Sequence, residues 1–210
     1  MTVDQKRIIN IDANLDTALM LAADLFFSNK IFIYPTDTIY GIGGNPFDVK
    51  VVSRISEIKG RDEKKQFIWL LPDIEKVINY TEILFEIHLE FLQKIWPAQL
   101  TVILNLNERT KNITSQETAA IRIPKDEFCI KLLKEISRPL ISTSVNRSGE
   151  KPINQTEKII NDFSQSVDAI FFKSQITTQI SSTIIDLTSK KPKLIREGSI
   201  KFVELLQNLS

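Results

Sequence analysis

The chain has 210 residues, a formal net charge of +1, one histidine and one cysteine, with 42% hydrophobic and 25% charged residues. That balance is ordinary for a globular protein with a sizeable core, and the length suits one large domain or two small ones. It excludes a polycation that binds nucleic acid with its whole surface, an internal disulfide, and a helical membrane span, since no apolar run approaches ~18 residues. Residues 1–7 lead into no apolar block, so no secretory leader and a cytoplasmic location are expected.

In chain order, Leu15, Leu19, Ala22, Ala23 and Phe26 recur at helical spacing and predict a helix over about 12–29, capped by Asp12 or Asn14. Ile31-Phe32-Ile33-Tyr34 predicts a buried strand, which Pro35 stops because it has no N–H to donate. Thr36-Asp37-Thr38, Tyr40 and the glycines Gly41, Gly43 and Gly44 read as a polar, glycine-rich loop. Val51, Val52, Ile55 and Ile58 share one face of a helix over 49–59, with Asp48 as N-cap and Gly60 as a left-handed end. A charged loop over 59–65 precedes an apolar strand over 67–71. Residues 73–80 predict a short helix, and 81–96 another with Leu84, Ile87, His88, Phe91, Leu92 and Ile95 as its apolar face. Strands over 100–104 and 119–123 flank a polar loop at 108–117. A helix over 126–136, a strand over 140–143, a helix over 156–163 and strands over 169–172, 183–187 and 193–196 follow. Ser199 caps a last helix to about 209. No Gly/Ser/Pro-rich linker or repeat interrupts this order, so one α/β domain over 1–210 with a mixed sheet is expected.

Familiar catalytic signatures are missing. There is no G-x-x-x-x-G-K-[ST] run, and Pro46 stands where Gly41-Ile42-Gly43-Gly44 would need the third glycine of a dinucleotide fingerprint. His88 lies among Leu84, Phe91 and Leu92 and reads as a packing residue, and Cys129 as an inert core thiol. What recurs is hydroxyls, an asparagine and fixed cations at strand ends: Thr36 and Thr38; Lys59, Arg61 and Lys65; Thr101; Ser142, Ser144 and Asn146; Ser182 and Thr183; Arg196. Singly, each has a structural explanation, as a turn-closing threonine or a solvated charge. Around one cleft they would suit a polyphosphate and a small polar substrate, with the cations neutralising phosphate oxygens without a P-loop.

Six ordered segments carry a resemblance: Tyr34-Pro35-Thr36-Asp37-Thr38-Ile39-Tyr40-Gly41; Lys59-Gly60-Arg61; Trp96-Pro97-Ala98-Gln99-Leu100-Thr101; Ala120-Ile121-Arg122-Ile123-Pro124; Ser144-Val145-Asn146-Arg147-Ser148-Gly149; and Ser182-Thr183-Ile184-Ile185-Asp186 with Ile195-Arg196-Glu197-Gly198. Together they resemble the YrdC family of threonylcarbamoyl-AMP synthases, over about residues 31–200. The resemblance implies a single twisted mixed-sheet α/β domain with a large basic cavity. It implies a nucleotidyl transfer that converts L-threonine, bicarbonate and ATP to threonylcarbamoyl-adenylate and pyrophosphate, with Mg²⁺ on the nucleotide and no metal held by the protein. The product would feed N6-threonylcarbamoyladenosine formation in tRNA, so tRNA or double-stranded RNA and a downstream threonylcarbamoyl transferase complex are implied partners. In length the chain resembles the short bacterial form of the family.

Carried over by position, Thr38, Ser142 and Ser182 would bind threonine, and Arg61, Lys65, Thr101, Ser144 and Arg196 would bind ATP. Lys59, Arg61, Ser144 and Asn146 would form the catalytic group. The chain departs from the pattern at Ala98-Gln99, in place of Gly-Pro, at Val145 in place of Ala, at Asp62 and Gln66 where prolines are common, and at Leu70, where some long relatives carry a threonine-contacting histidine. Two other readings stand beside this one: a non-catalytic RNA-binding module using Lys59, Arg61, Lys64, Lys65, Lys190, Lys191, Lys193 and Arg196, and a related carbamoyl-transferring enzyme with another acceptor.

Overall fold

The structure is a computed structural model and describes residues 7–60, 66–174 and 180–209. In chain order its elements are β1 (Arg7–Asn10), α1 (Leu15–Phe27), β2 (Phe32–Tyr34), β3 (Gly41–Gly43), α2 (Val49–Lys59), β4 (Ile68–Leu70), α3 (Ile74–Tyr80), β5 (Thr81–Glu82), α4 (Glu86–Ile95), β6 (Leu100–Leu106), α5 (Glu108–Thr114), β7 (Thr118–Arg122), α6 (Glu127–Ile136), β8 (Leu140–Ser144), α7 (Thr156–Phe163), β9 (Ala169–Phe172), β10 (Thr183–Asp186), β11 (Lys193–Arg196) and α8 (Phe202–Gln207). The strands form one twisted sheet in the order β1-β9-β2-β3-β8-β4-β7-β6-β10-β11, with β5 added on β6. Parallel pairs (β1·β9, β9·β2, β4·β7, β6·β10) stand beside antiparallel ones (β2·β3, β3·β8, β8·β4, β7·β6, β10·β11), so the sheet is mixed as the sequence predicts.

The two halves of the sheet bury their faces differently. In β2, Phe32 and Tyr34 pack with Phe26 of α1 and Phe128 of α6, while Ile33 packs the other way with Ile55 of α2 and Ile159 of α7. Successive residues bury on opposite faces, which is why 31–34 reads as an unbroken apolar run. At the far half, Trp69, Val102, Leu104 and Ile121 pack beneath Val77 of α3 and Phe91 of α4. The alternate residues Ile68, Ile103, Ala120 and Arg122 face a cavity instead.

Helix starts follow local side-chain chemistry. Asn14, Asp48, Asp73, Asn107 and Asp126 each accept a backbone N–H from the first turn they precede. Gly60 ends α2 at φ 57°, a left-handed conformation that favours glycine.

Several segments differ from the sequence reading. Residues 41–43 form β3 rather than a loop, because glycine lets the Tyr34 ring lie against the strand: a Cβ on Gly43 would stand 2.5 Å from Tyr34 Cε1 and 2.8 Å from Ile141 O. Residues 108–114 form α5; the helix is polar and buries little beyond Thr110, so it carries no apolar periodicity, and only the Asn107 cap announces it. Thr81 and Glu82 pair with β6, which delays α4 to Glu86 and leaves Leu84 and Ile87 exposed. Ser199 does not cap α8, whose N-cap is Lys201; its hydroxyl donates to Gln99 O at 3.4 Å. Residues 7–10, unassigned from sequence, form the edge strand β1 against β9. Arg61 and Lys65, with the rest of 61–65, lie outside the described residues.

Candidate active site

A cavity of about 560 Å³ lies over the sheet. Register builds its floor: Ile68 of β4 pairs with Ser142 of β8 and Ala120 of β7, and Ala120 pairs with Ile103 of β6. Ser142, Ile68, Ala120 and Ile103 therefore form one row across four strands, and all four line the cavity. Ser144 and Arg122 share the faces of Ser142 and Ala120, two residues along their strands, and line it too. Thr36 and Thr38 reach it from the turn after β2, Ser182 from the start of β10, and Arg196 from the end of β11. Five residues expected from sequence (Thr38, Ser142, Ser144, Ser182 and Arg196) thus meet in one place.

The first corner is an ion pair tied to a hydroxyl turn. Thr36 Oγ1 donates to Ile39 O at 2.7 Å and accepts the Thr38 N–H at 3.1 Å, which closes the Thr-Asp-Thr turn. Arg122, only 4% exposed, donates through Nη1 to Thr38 Oγ1 at 2.9 Å and through Nη2 to Asp37 Oδ1. Arg122 Nε has no hydrogen-bond partner among the described residues. A guanidinium on the cavity wall beside two threonine hydroxyls is suited to a small anion such as a carboxylate.

The second corner is built around Lys59. It ends α2, is 3% exposed, and sends its ammonium to Ser144 O at 2.5 Å, Asn146 O at 2.9 Å and Asn146 Oδ1 at 3.0 Å. Asn146 Oδ1 also accepts from Ser144 Oγ at 2.5 Å, while Nδ2 donates to Arg147 O and Glu150 O, each at 2.8 Å. Lys59 and Asn146 therefore sit behind Ser144 and fix its loop, and neither lines the cavity.

The third corner joins β6, β10 and β11. Thr101 is fully buried and meets the cavity only through Ser182, at 2.8 Å between the two hydroxyls. Arg196 Nη2 donates to Ser182 O at 2.8 Å. Burial, then the charge of Arg122, lowers the Arg196 guanidinium from its usual value. The two arginines line the same hollow. Gly198 passes so close to the same segment that a Cβ would stand 2.2 Å from Ser181 O. The described lining residues include two arginines and no carboxylate, but Arg122 is paired with Asp37 just outside the lining, so an anionic ligand fits chiefly at Arg196.

The remaining candidates for chemistry are elsewhere. Cys129 is buried against Pro35 O at 3.3 Å, and burial pushes its thiol well above the usual range. His88 is buried on α4 beside Phe85, with Nε2 at 3.3 Å from Lys190 O, and burial lowers its imidazole. Leu70 packs in the core beside Tyr34 and Phe128 and is not among the residues lining the cavity. No cluster of His, Cys, Asp or Glu among the described residues could cage a metal ion, and none of their helices is long and apolar enough to cross a membrane.

Sequence reasoning passed over Arg122 as a site residue. The signal was present: a cation two residues from Ala120 in the otherwise apolar run Ala119-Ala120-Ile121-Arg122-Ile123 needs a partner or a ligand.

The family model for the Sua5/YciO/YrdC domain, described as telomere recombination, matches residues 24–198. The chain is similar to the threonylcarbamoyl-AMP synthase of Pyrococcus abyssi, 28% identical over 201 residues, which cover 94% of this chain and 59% of that protein. It is similar to the threonylcarbamoyl-AMP synthase of Bacillus subtilis, 28% identical over 188 residues, covering 88% of this chain and 54% of that protein. The chain thus spans a little over half the length of these curated relatives. Among solved structures, P. abyssi Sua5 complexed with L-threonine matches with a TM-score of 0.87 at 28% identity, over 96% of this chain and 60% of that one. E. coli YciO matches in fold, with a TM-score of 0.83 at 23% identity over 95% and 98% of the two chains.

Proposed function

Because the chain belongs to the Sua5/YciO/YrdC family, we propose that it is a threonylcarbamoyl-AMP synthase: it joins L-threonine, bicarbonate and ATP into threonylcarbamoyl-adenylate and releases pyrophosphate. One observation carries the reading. Thr38, Arg122, Ser142, Ser144, Ser182 and Arg196 come from five separated segments and line a single cavity of about 560 Å³ with two guanidiniums and no carboxylate among the described residues. A volume of that order accommodates small-molecule substrates.

Threonine's amine and bicarbonate would give a carbamate with loss of water. A carbamate oxygen would then attack the α-phosphorus of ATP, and pyrophosphate would leave. The carbamate is itself the nucleophile, so the protein needs no covalent residue; its work is alignment and charge stabilisation. Thr38, Ser142 and Ser182 would orient the amino acid, with Arg122 facing its carboxylate. Ser144 and Arg196, with Arg61 and Lys65, would take the triphosphate. Lys59 and Asn146 would act from behind, through Ser144, and Thr101 from beneath Ser182. Mg²⁺ would arrive on the nucleotide, held by phosphates and water. The product, made in the cytoplasm, would pass to a transferase that modifies tRNA.

Pyrophosphate release from ATP and bicarbonate is the test, with each amino acid supplied in turn. The reading expects release that depends on threonine and on bicarbonate. Release that ignores threonine, or needs another carbamoyl source, overturns it, as does no release with salt-sensitive RNA binding alone.

A further inference from the structure

Residue 99 is one of the two positions where the chain leaves the Trp-Pro-Gly-Pro-Leu-Thr pattern, and it stands at the junction of three site segments. Gln99 Nε2 donates to the backbone oxygen of Asp37, inside the Thr-Asp-Thr turn. Gln99 O accepts the Thr183 N–H at 3.1 Å, at the start of the strand that follows Ser182. The same oxygen accepts the Ser199 hydroxyl at 3.4 Å, just after Arg196 and Gly198. Its neighbour Ala98 donates N–H to Ile123 O at 3.1 Å, one residue past Arg122.

These contacts close a ring. Arg122 holds Asp37 through the ion pair, Asp37 O is held by Gln99, and Ala98 is held by the chain next to Arg122. The backbone at Asp37 and the backbone next to Arg122 cannot draw apart without breaking a bond to residues 98–99. Thr38 is the next residue after Asp37 and accepts from Arg122 Nη1, so the ring sets its position too. The link across to Asp37 is a side-chain N–H, which neither a proline nor a glycine could supply.

We propose that Gln99 is a positioning residue whose side chain serves the amino-acid corner of the site, latching the Thr36–Thr38 turn to the strand that carries Arg122, while only its backbone oxygen reaches the segments that carry Ser182 and Arg196. It does not line the cavity and acts through Asp37, Thr38 and Arg122. The substrate assignment rests on the synthase reading; the latch itself does not.

The test uses the full chain with Gln99→Glu, which keeps the shape but offers an acceptor to the Asp37 carbonyl, and Gln99→Ala, which removes the arm. Two measurements are taken. Amide hydrogen exchange of the ligand-free protein reads the latch without reference to activity: residues 36–40 should exchange at least about fivefold faster in both variants, with β6 and β7 unchanged. Steady-state pyrophosphate release reads the function: KM for threonine should rise about tenfold, the scale of one lost polar contact, while KM for ATP stays within twofold. Unchanged exchange at 36–40 overturns the latch. Faster exchange with equal rises in both KM values overturns its restriction to the amino-acid corner. Faster local exchange in a protein whose parent releases no pyrophosphate with threonine sinks the synthase reading and leaves the latch standing.

Discussion

Lys59→Met separates two ways in which a signature lysine can matter. The ammonium is 3% exposed and makes hydrogen bonds of 2.5, 2.9 and 3.0 Å to Ser144 O, Asn146 O and Asn146 Oδ1. Methionine keeps most of the chain length and none of the donors. Hydrogen bonds to a charged group contribute about 1.5–3 kcal/mol each, but removing the lysine also relieves its own desolvation, so a net loss of about 3 kcal/mol is expected. At roughly 2–4 °C per kcal/mol for a chain of this size, the thermal midpoint falls by about 6–12 °C. Because Ser144 loses the anchor on its carbonyl, pyrophosphate release falls at least about 10²-fold, measured below both melting transitions. Scanning fluorimetry and a coupled pyrophosphate assay read the two effects. A variant that melts within about 2 °C of the parent refutes the claim that the ammonium holds the loop, and if turnover alone collapses, the lysine acts directly on the substrate instead.

Three further outcomes follow from the same geometry. Arg122→Gln leaves the half-buried Asp37 carboxylate without its guanidinium, so a stability loss of about 3 kcal/mol in urea titration and a raised KM for threonine are expected; an unchanged KM would remove Arg122 from the amino-acid corner. Gly198→Ala sets a Cβ against the backbone of Ser181 and Ser182, which cannot swing aside as a side chain would. A loss of about 1–3 kcal/mol with weakened ATP binding by calorimetry is expected, and wild-type affinity would show that β11 can shift at no cost. His88 is the sole histidine, and burial holds its imidazole below the ordinary value. The unfolded chain then binds the proton first, so this contribution is complete above the ordinary imidazole pKa and is lost as the pH falls from there through the lower folded value. The thermal midpoint should drop between about pH 7 and pH 5, less so in His88→Gln; equal slopes would mean that other groups carry the effect.

Elements that bury a face were legible in the sequence, and elements that do not were missed. α2 spans the predicted residues because Val51 and Ile55 face the core and Asp48 and Gly60 mark its ends. α5 escaped notice since its side chains are largely solvated and nothing in their order repeats every turn. β3 escaped for the opposite reason: Gly41 and Gly43 look like loop residues, yet their missing side chains make room for Tyr34 and Ser142 beside the strand. Leu84 and Ile87 fitted the helical period that runs through Phe91, but β5 takes the preceding residues into the sheet and turns both outward.

In the site, sequence carried the types of group and not their mutual orientation. Thr38 and Arg122 lie 84 residues apart, Thr101 and Ser182 81, and Lys59 and Ser144 85, so which hydroxyl faces the hollow is decided by strand order alone. Antiparallel pairing of β8 with β4 and parallel pairing of β4 with β7 bring Ser142 and Ala120 level, and the two-residue period then lifts Ser144 and Arg122 to the same side. Asn146 falls behind that surface, where it hydrogen-bonds Ser144, whereas Thr101 shares the face of Ile103 and is covered by Ser182, to which its hydroxyl is hydrogen-bonded. The outcome is a hollow whose polar groups are already tied to one another. Ordering them was part of folding, so a bound substrate meets fixed dipoles and charges and need not supply the free energy to arrange them.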